Sequence, residues 1–187
     1  MKRVLICIIF SCVFLTCGAV LCQAQPWVIK VAEGSMPKFK DGQTITITTN
    51  FDRTTWDEKK LMKKFWAEEY KDCYEDGELD TAYGEFLFTL HDAAVTAFRR
   101  GRSPLVVADE DSDYTLAITI TNFHDSRDMW RRKAIGFGHA NVIDNATGET
   151  VCILEFKNVK GGDGTDEATA AAKCMKEIGS MLSGKCK

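Results

Sequence analysis

Between Tyr114 and Thr121 the chain alternates without a break, with Tyr114, Leu116, Ile118 and Ile120 on one side and Thr115, Ala117, Thr119 and Thr121 on the other. Period two is the repeat of a strand with one face buried and one face wet, and on a helix the same residues would scatter round the axis. A chain built on such a strand must supply neighbours for its backbone and a layer for its apolar face. Two further segments meet the first need. Ala134 to Asp144 and Glu149 to Asn158 read as strands joined by Asn145-Ala-Thr-Gly148, a turn with glycine where a positive φ is most easily adopted. Gly136 and Gly138 share a face with Ala134 and Ala140, so a helix or another backbone can come close there. A strand rather than a helix follows these glycines, so they are not a phosphate loop.

The covering layer comes from segments of helical period. Thr54 or Thr55 is expected to cap a helix running to about Tyr70, with Leu61, Met62, Phe65, Trp66 and Tyr70 on one stripe. Asp80 caps a second, whose Tyr83, Leu87, Leu90, Ala94, Ala97 and Phe98 form a face that Arg99-Arg100-Gly101 ends. After Gly161-Gly-Asp-Gly164, Thr165 caps a third, with Asp166 and Glu167 in its first turn and Ala168, Ala171, Ala172, Met175, Ile178, Gly179 and Leu182 facing the sheet. Gln43 to Thr49 and Leu105 to Ala108 are further short strands, and Gly34 to Gly42 is broken by glycine and proline. The order strand, helices, short strand, three-stranded meander, helix predicts an α+β two-layer sandwich. Its sheet is mainly antiparallel, of four to five strands, with helices packed on one face.

The N-terminus bears on where this domain works. Met1-Lys2-Arg3, an apolar run from Val4 to Cys22, and Cys22-Gln-Ala24 before Gln25-Pro26 read as a signal peptide over residues 1–24, leaving a single domain over 25–187. Cleavage after Ala24 would place the protein in the periplasm or outside the cell. A lipid-modified Cys17 or Cys22, anchored to the outer membrane, is the second reading, and an uncleaved anchor the third. Losing Lys2 and Arg3 leaves 22 basic against 27 acidic residues, a net charge of −5, so nucleic acid is not an expected partner. The mature length buries a core without help from metal or crosslinks.

Four cysteines lie beyond the leader: Cys73, Cys152, Cys174 and Cys186. In an oxidising compartment at least one disulfide is expected, with three full pairings open, and buried free thiols that serve as small core residues are the alternative. Cys174 and Cys186 are poor partners for each other, because a straight helix holds them far beyond bonding range. No Cys-x-x-Cys occurs, and His91, His124 and His139 do not cluster with the cysteines, so neither a metal nor a cofactor is expected.

The passages Ser112 to Phe123, Ala134-Ile-Gly-Phe-Gly-His-Ala140 and Val142-Ile-Asp-Asn-Ala-Thr-Gly-Glu-Thr-Val151 resemble a broad group of bacterial envelope proteins. In that group an aliphatic-threonine strand precedes a strand ending aspartate-x-x-threonine-glycine-glutamate, followed by a glycine-rich loop and an alanine-rich helix. Over roughly residues 43 to 182 the architecture is similar to the N-terminal domain of the Tol-system protein TolB and to the curli-pore lipoprotein family. The resemblance implies an envelope accessory or assembly protein that acts by binding.

Catalytic patterns are weak. His124-Asp125-Ser126 has the residue types of a hydrolase triad, but adjacent residues cannot hold the nucleophile, base and orienter in line, and these types are common at strand exits. Asp109-Glu-Asp111 and Asp113 read as a solvated acidic loop before a possible cation site. The segment His124 to Lys133 stands out, since a ten-residue connection is longer than a hairpin needs. Its Met129, Trp130, Arg131, Arg132 and Lys133 include types enriched at interface hot spots. It is the expected contact for an envelope protein partner, with lipid phosphate at a membrane surface as the alternative for the basic triplet. A carrier of lipid or another apolar ligand is the rival function and would need a cavity between helices and sheet. Hydrolase chemistry stands third.

Overall fold

The computed structural model describes residues 28–75, 77–128 and 131–187. Among the described residues, eight strands and three helices follow in the order β1 (Ile29–Gly34), β2 (Thr44–Asn50), β3 (Thr55–Trp56), β4 (Lys60–Leu61), α1 (Met62–Glu69), α2 (Leu79–Arg99), β5 (Val106–Val107), β6 (Tyr114–Asp128), β7 (Arg131–Asp144), β8 (Glu149–Lys160) and α3 (Glu167–Lys185). The class is α+β, as the pattern predicts. The sheet is larger than the expected four to five strands: eight strands join in one sheet, ordered β1-β8-β7-β6-β2-β5, with β3 against β6 and β4 against β3. It is also mixed, because β2 runs parallel to both β6 and β5, and β3 runs parallel to β6.

Two of the added strands replace the start of the first expected helix. The chain turns at Asp57 and Glu58, both at positive φ (54° and 59°), so that Thr55 pairs with Leu61 and Trp56 with Lys60. Consecutive left-handed residues make the tight turn whose twist suits a hairpin. The helix then begins at Met62, eight residues after the expected Thr54 cap. At the other end of the chain the cap of α3 is Asp166, one residue past Thr165; its carboxylate accepts from the Thr169 amide at 2.7 Å.

The helix-covered face is built by register. Ile118, Ala140 and Leu154 stand in one row across β6, β7 and β8, each at or near complete burial, beside Ile45 and Ile47 of β2. Helix α3 lies over β7 and β8, and α2 lies beside it toward β2 and β5. The glycine expectation holds: a Cβ on Gly136 would sit 2.8 Å from Cys174 Sγ, and one on Gly138 would lie 2.1 Å from the Thr119 carbonyl. Between the helices, Gly179 lets α3 touch the Ala94 carbonyl of α2. Phe98, Phe123, Phe156, Met175 and Ile178 fill the space between layers.

Candidate functional site

Beyond the region under the helices, the long strands change character at one level. The β6 register slips between Ile120 and Asn122, and that of β7 against β8 slips between Gly136 and Gly138, opposite Asn158 at φ 57°. Bulges bend strands and re-aim side chains. Past the bend, β6 and β7 stay paired as far as Asp128 opposite Arg131. The ten-residue loop expected from His124 to Lys133 is therefore mostly a two-stranded arm. Its central Met129 and Trp130 lie outside the described residues.

The base of this arm is clamped on both sides. On the β6 side the β3–β4 hairpin docks through main-chain and side-chain bonds. The Asp57 amide donates to the Phe123 carbonyl at 2.8 Å, and the Thr54 hydroxyl donates to the Ile120 carbonyl at 2.7 Å. Asn122 Oδ1 accepts from the Glu58 amide (3.0 Å) and the Thr55 hydroxyl (2.9 Å). The Asp57 carboxylate accepts from the Asp125 amide at 2.8 Å and stands 2.8 Å from His124 Nδ1. Trp56 stacks on Phe65 behind the hairpin, with ring centroids 4.7 Å apart.

On the β7 side the glycine-rich segment runs alongside. Gly164 donates to the Arg132 carbonyl at 2.8 Å, and Gly161 donates to the Ala134 carbonyl at 2.9 Å. A Cβ on Gly161 would lie 2.6 Å from the Cys174 amide and one on Gly164 2.6 Å from that of Ala170, so only glycine lets this strip rest directly on α3.

The basic triplet has partners within the fold. Arg131 reaches the Asp163 carboxylate at 2.6 Å and Lys133 reaches it at 3.3 Å. Their cations hold the Asp163 carboxyl below the ordinary aspartate value, the hydrogen bond from Arg131 being the largest cause. Arg132 pairs with Glu167, a buried acid in the first turn of α3. The charge that marks this segment in the sequence thus serves in large part to fasten the arm to the 161–167 strip.

The other sequence candidates are dispersed. Consecutive residues on a strand point to opposite faces, so His124, Asp125 and Ser126 do not converge, and His124 faces Asp57 instead. Asp113 is occupied in accepting from the Thr44 amide and hydroxyl at 2.7 and 3.0 Å, which lowers its pKa, while Asp109 meets Arg99 at 3.6 Å. Among the described residues, no three His, Cys, Asp or Glu side chains gather to hold a metal. Cys73 is exposed and Cys152, Cys174 and Cys186 are buried; all four carry free thiols, so the expected disulfide is not formed in this structure. A hollow of about 270 Å³, missed by the sequence reading, opens at the bend between Asn122, Phe137, His139 and Glu155. Its signal was out of reach, because the bulges that bring these residues together depend on register. No helix among the described residues is long and apolar enough to cross a membrane.

The sequence matches no protein-family model and no curated protein. Among solved structures, the fold is similar to a PelC dodecamer from Paraburkholderia phytofirmans. The identity is 12% and the TM-score 0.47, over 84% of this chain and 97% of that one. It is also similar to protein XCC0632 from Xanthomonas campestris, of family-model DUF330, at 17% identity and TM-score 0.42, over 81% of this chain and 87% of that one. The likeness to TolB and to the curli-pore lipoproteins stays an expectation from sequence.

Proposed function

We propose that this chain is an exported, non-catalytic accessory module of the cell envelope that acts by binding a protein partner through the tip of the β6–β7 arm. The observation that carries the reading is the pairing of β6 with β7 out to Asp128 and Arg131, past the hairpin that holds β6 as far as Asp125 and one residue past the bridge between Arg132 and Gly164. Ordering backbone away from the core costs about 1–2 kcal/mol per residue, and a two-stranded extension buries little to offset it. Such an extension is well suited to meeting another surface, either by its side chains or by adding a strand at its edge. The sequence between the strands is Met129-Trp130, types that suit a contact hot spot. With Arg131 and Lys133 already sharing Asp163, the apolar tip rather than the basic triplet is the better contact. This weighs against the lipid-phosphate alternative.

The carrier reading loses support from the packing, since the layer between helices and sheet is filled by side chains such as Phe98, Phe156 and Ile178. Export rests on the leader-like residues 1–24. A photo-activated crosslinking residue placed at Ser126 or Arg131, with Phe88 on the exposed face of α2 as control, tests the proposal in cells that make the protein. A discrete protein adduct from the arm positions is expected. Adducts from Phe88 alone, or lipid recovered with the purified protein, would overturn it.

A further inference from the structure

We propose that Cys152 and Cys186 form a disulfide that staples β8 to the C-terminal end of α3. The path of helix α3 sets where its far end lies. At its start Glu167 meets Arg132 and Ala170 lies against Gly164; further on, Cys174 donates to the Val159 carbonyl at 3.2 Å and sits with Ile178 over Gly136. Helix α3 therefore climbs β7 in the direction of rising residue number. From Cys174 to Cys186 the helix rises about 18 Å at roughly 1.5 Å per residue. From the level where Gly136 faces Val159 to the level where Val142 faces Cys152, six residues of β7 advance about 20 Å at roughly 3.3 Å each. The two paths are of matching length, which carries Cys186 to the level of Cys152 on β8.

Burial agrees with that placement, because both residues belong to the same core cluster, with Cys152 1% and Cys186 0% exposed. Cys186 is the residue after the last helical turn, with φ −83° and ψ 65°, so its side chain is not aimed by the helix. The two thiols also sense each other: the Cys186 thiol is pushed up to about 12, first by burial and next by the neighbouring Cys152. The remaining cysteines have other places. Cys174 is occupied with Val159 and lies a helix length from Cys186, while Cys73 is exposed in the turn after α1.

The chemistry is thiol–disulfide exchange with a small disulfide such as oxidised glutathione. One protein thiolate attacks it and releases a glutathione thiol, and the second protein thiol then attacks the mixed disulfide and releases another. Two protein thiols lose two electrons and two protons, and both end on two glutathione molecules. Because the folded core seals both sulfurs, the step belongs to folding, when thiolates are still accessible.

The test refolds the full chain, reduced and unfolded, in a mixed glutathione buffer, then quenches, alkylates and digests it. The expected product is a crosslinked peptide pair carrying Cys152 and Cys186, with Cys73 and Cys174 alkylated. Its Tm falls by several degrees on reduction, a fall that Cys174→Ser retains and Cys152→Ser abolishes. Alkylation of Cys152 and Cys186 along with Cys73 and Cys174, a bridge that joins Cys152 or Cys186 to any other cysteine, or a Tm indifferent to reduction would each overturn the staple.

Discussion

The sheet has two ends that obey different rules. Under α2 and α3, the rows formed by Ile118, Ala140 and Leu154 are dry, regular in register and matched small to large. Past the bulges at Thr121 of β6 and Asn158 of β8, the paired strands are held by Asp57, Asn122, Asp163 and Glu167 through hydrogen bonds and ion pairs. Apolar burial is additive and non-directional, so the first end sets stability. Directional polar contacts contribute less net free energy but fix geometry, so the second end sets where the arm points. A chain so divided can change its tip without unfolding its body.

The largest effect is expected at the packed end. Leu154→Ala removes a completely buried side chain and should cost about 2–5 kcal/mol, read as a fall in the denaturant midpoint. A loss below about 1 kcal/mol would mean that the body is looser than its register implies. Next in size is Glu167→Gln at the junction. It leaves Arg132 without its acidic partner beside a 7% exposed site, and since Arg132 keeps some access to water the cost should be about 2 kcal/mol, less than for a fully buried pair.

Asp163→Asn should matter less, and its effect depends on pH. The folded pKa of Asp163 is lowered by Arg131 and Lys133, so its contribution is complete above the unfolded value of about 3.9 and is lost as pH falls through the lower folded value. Wild type and variant should differ slightly in Tm near neutrality and converge in strong acid. Added salt should narrow the gap at neutral pH, because the Asp163 side chain is partly open to solvent. A gap that widens in acid would contradict the assignment.

The two ends also differed in how far the sequence revealed them. The alternation Tyr114 to Thr121 was legible because one face is buried, and Gly136 and Gly138 were legible because small residues sat at every second position of an apolar strand. The arm gave no such signal. A two-stranded ribbon held by hydrogen bonds and ion pairs needs no apolar period, so His124 to Lys133 reads as a loop while pairing as strand. Strand β1 escaped for a related reason: it is an edge strand whose residues after Ile29 are exposed, held to β8 by its backbone. The β3–β4 hairpin was hidden because Asp57 and Glu58 take a conformation more often given to asparagine and glycine, while Leu61 to Trp66 extend a helical period backward. No spacing rule connects Arg131 to Asp163 across thirty-two positions; that link exists only after folding.

The smallest change in stability is expected at the tip, where binding and stability separate. The measurement is the yield of the Ser126 photocrosslink in Trp130→Ala compared with the unsubstituted tip, with Tm recorded on the same preparations. If the tip is the contact, the variant should lose about 2 kcal/mol of partner affinity, close to thirtyfold, while its stability stays within about 1 kcal/mol of the parent. An undiminished crosslink together with a steep fall in Tm would make Trp130 part of the core and leave the arm without a binding role.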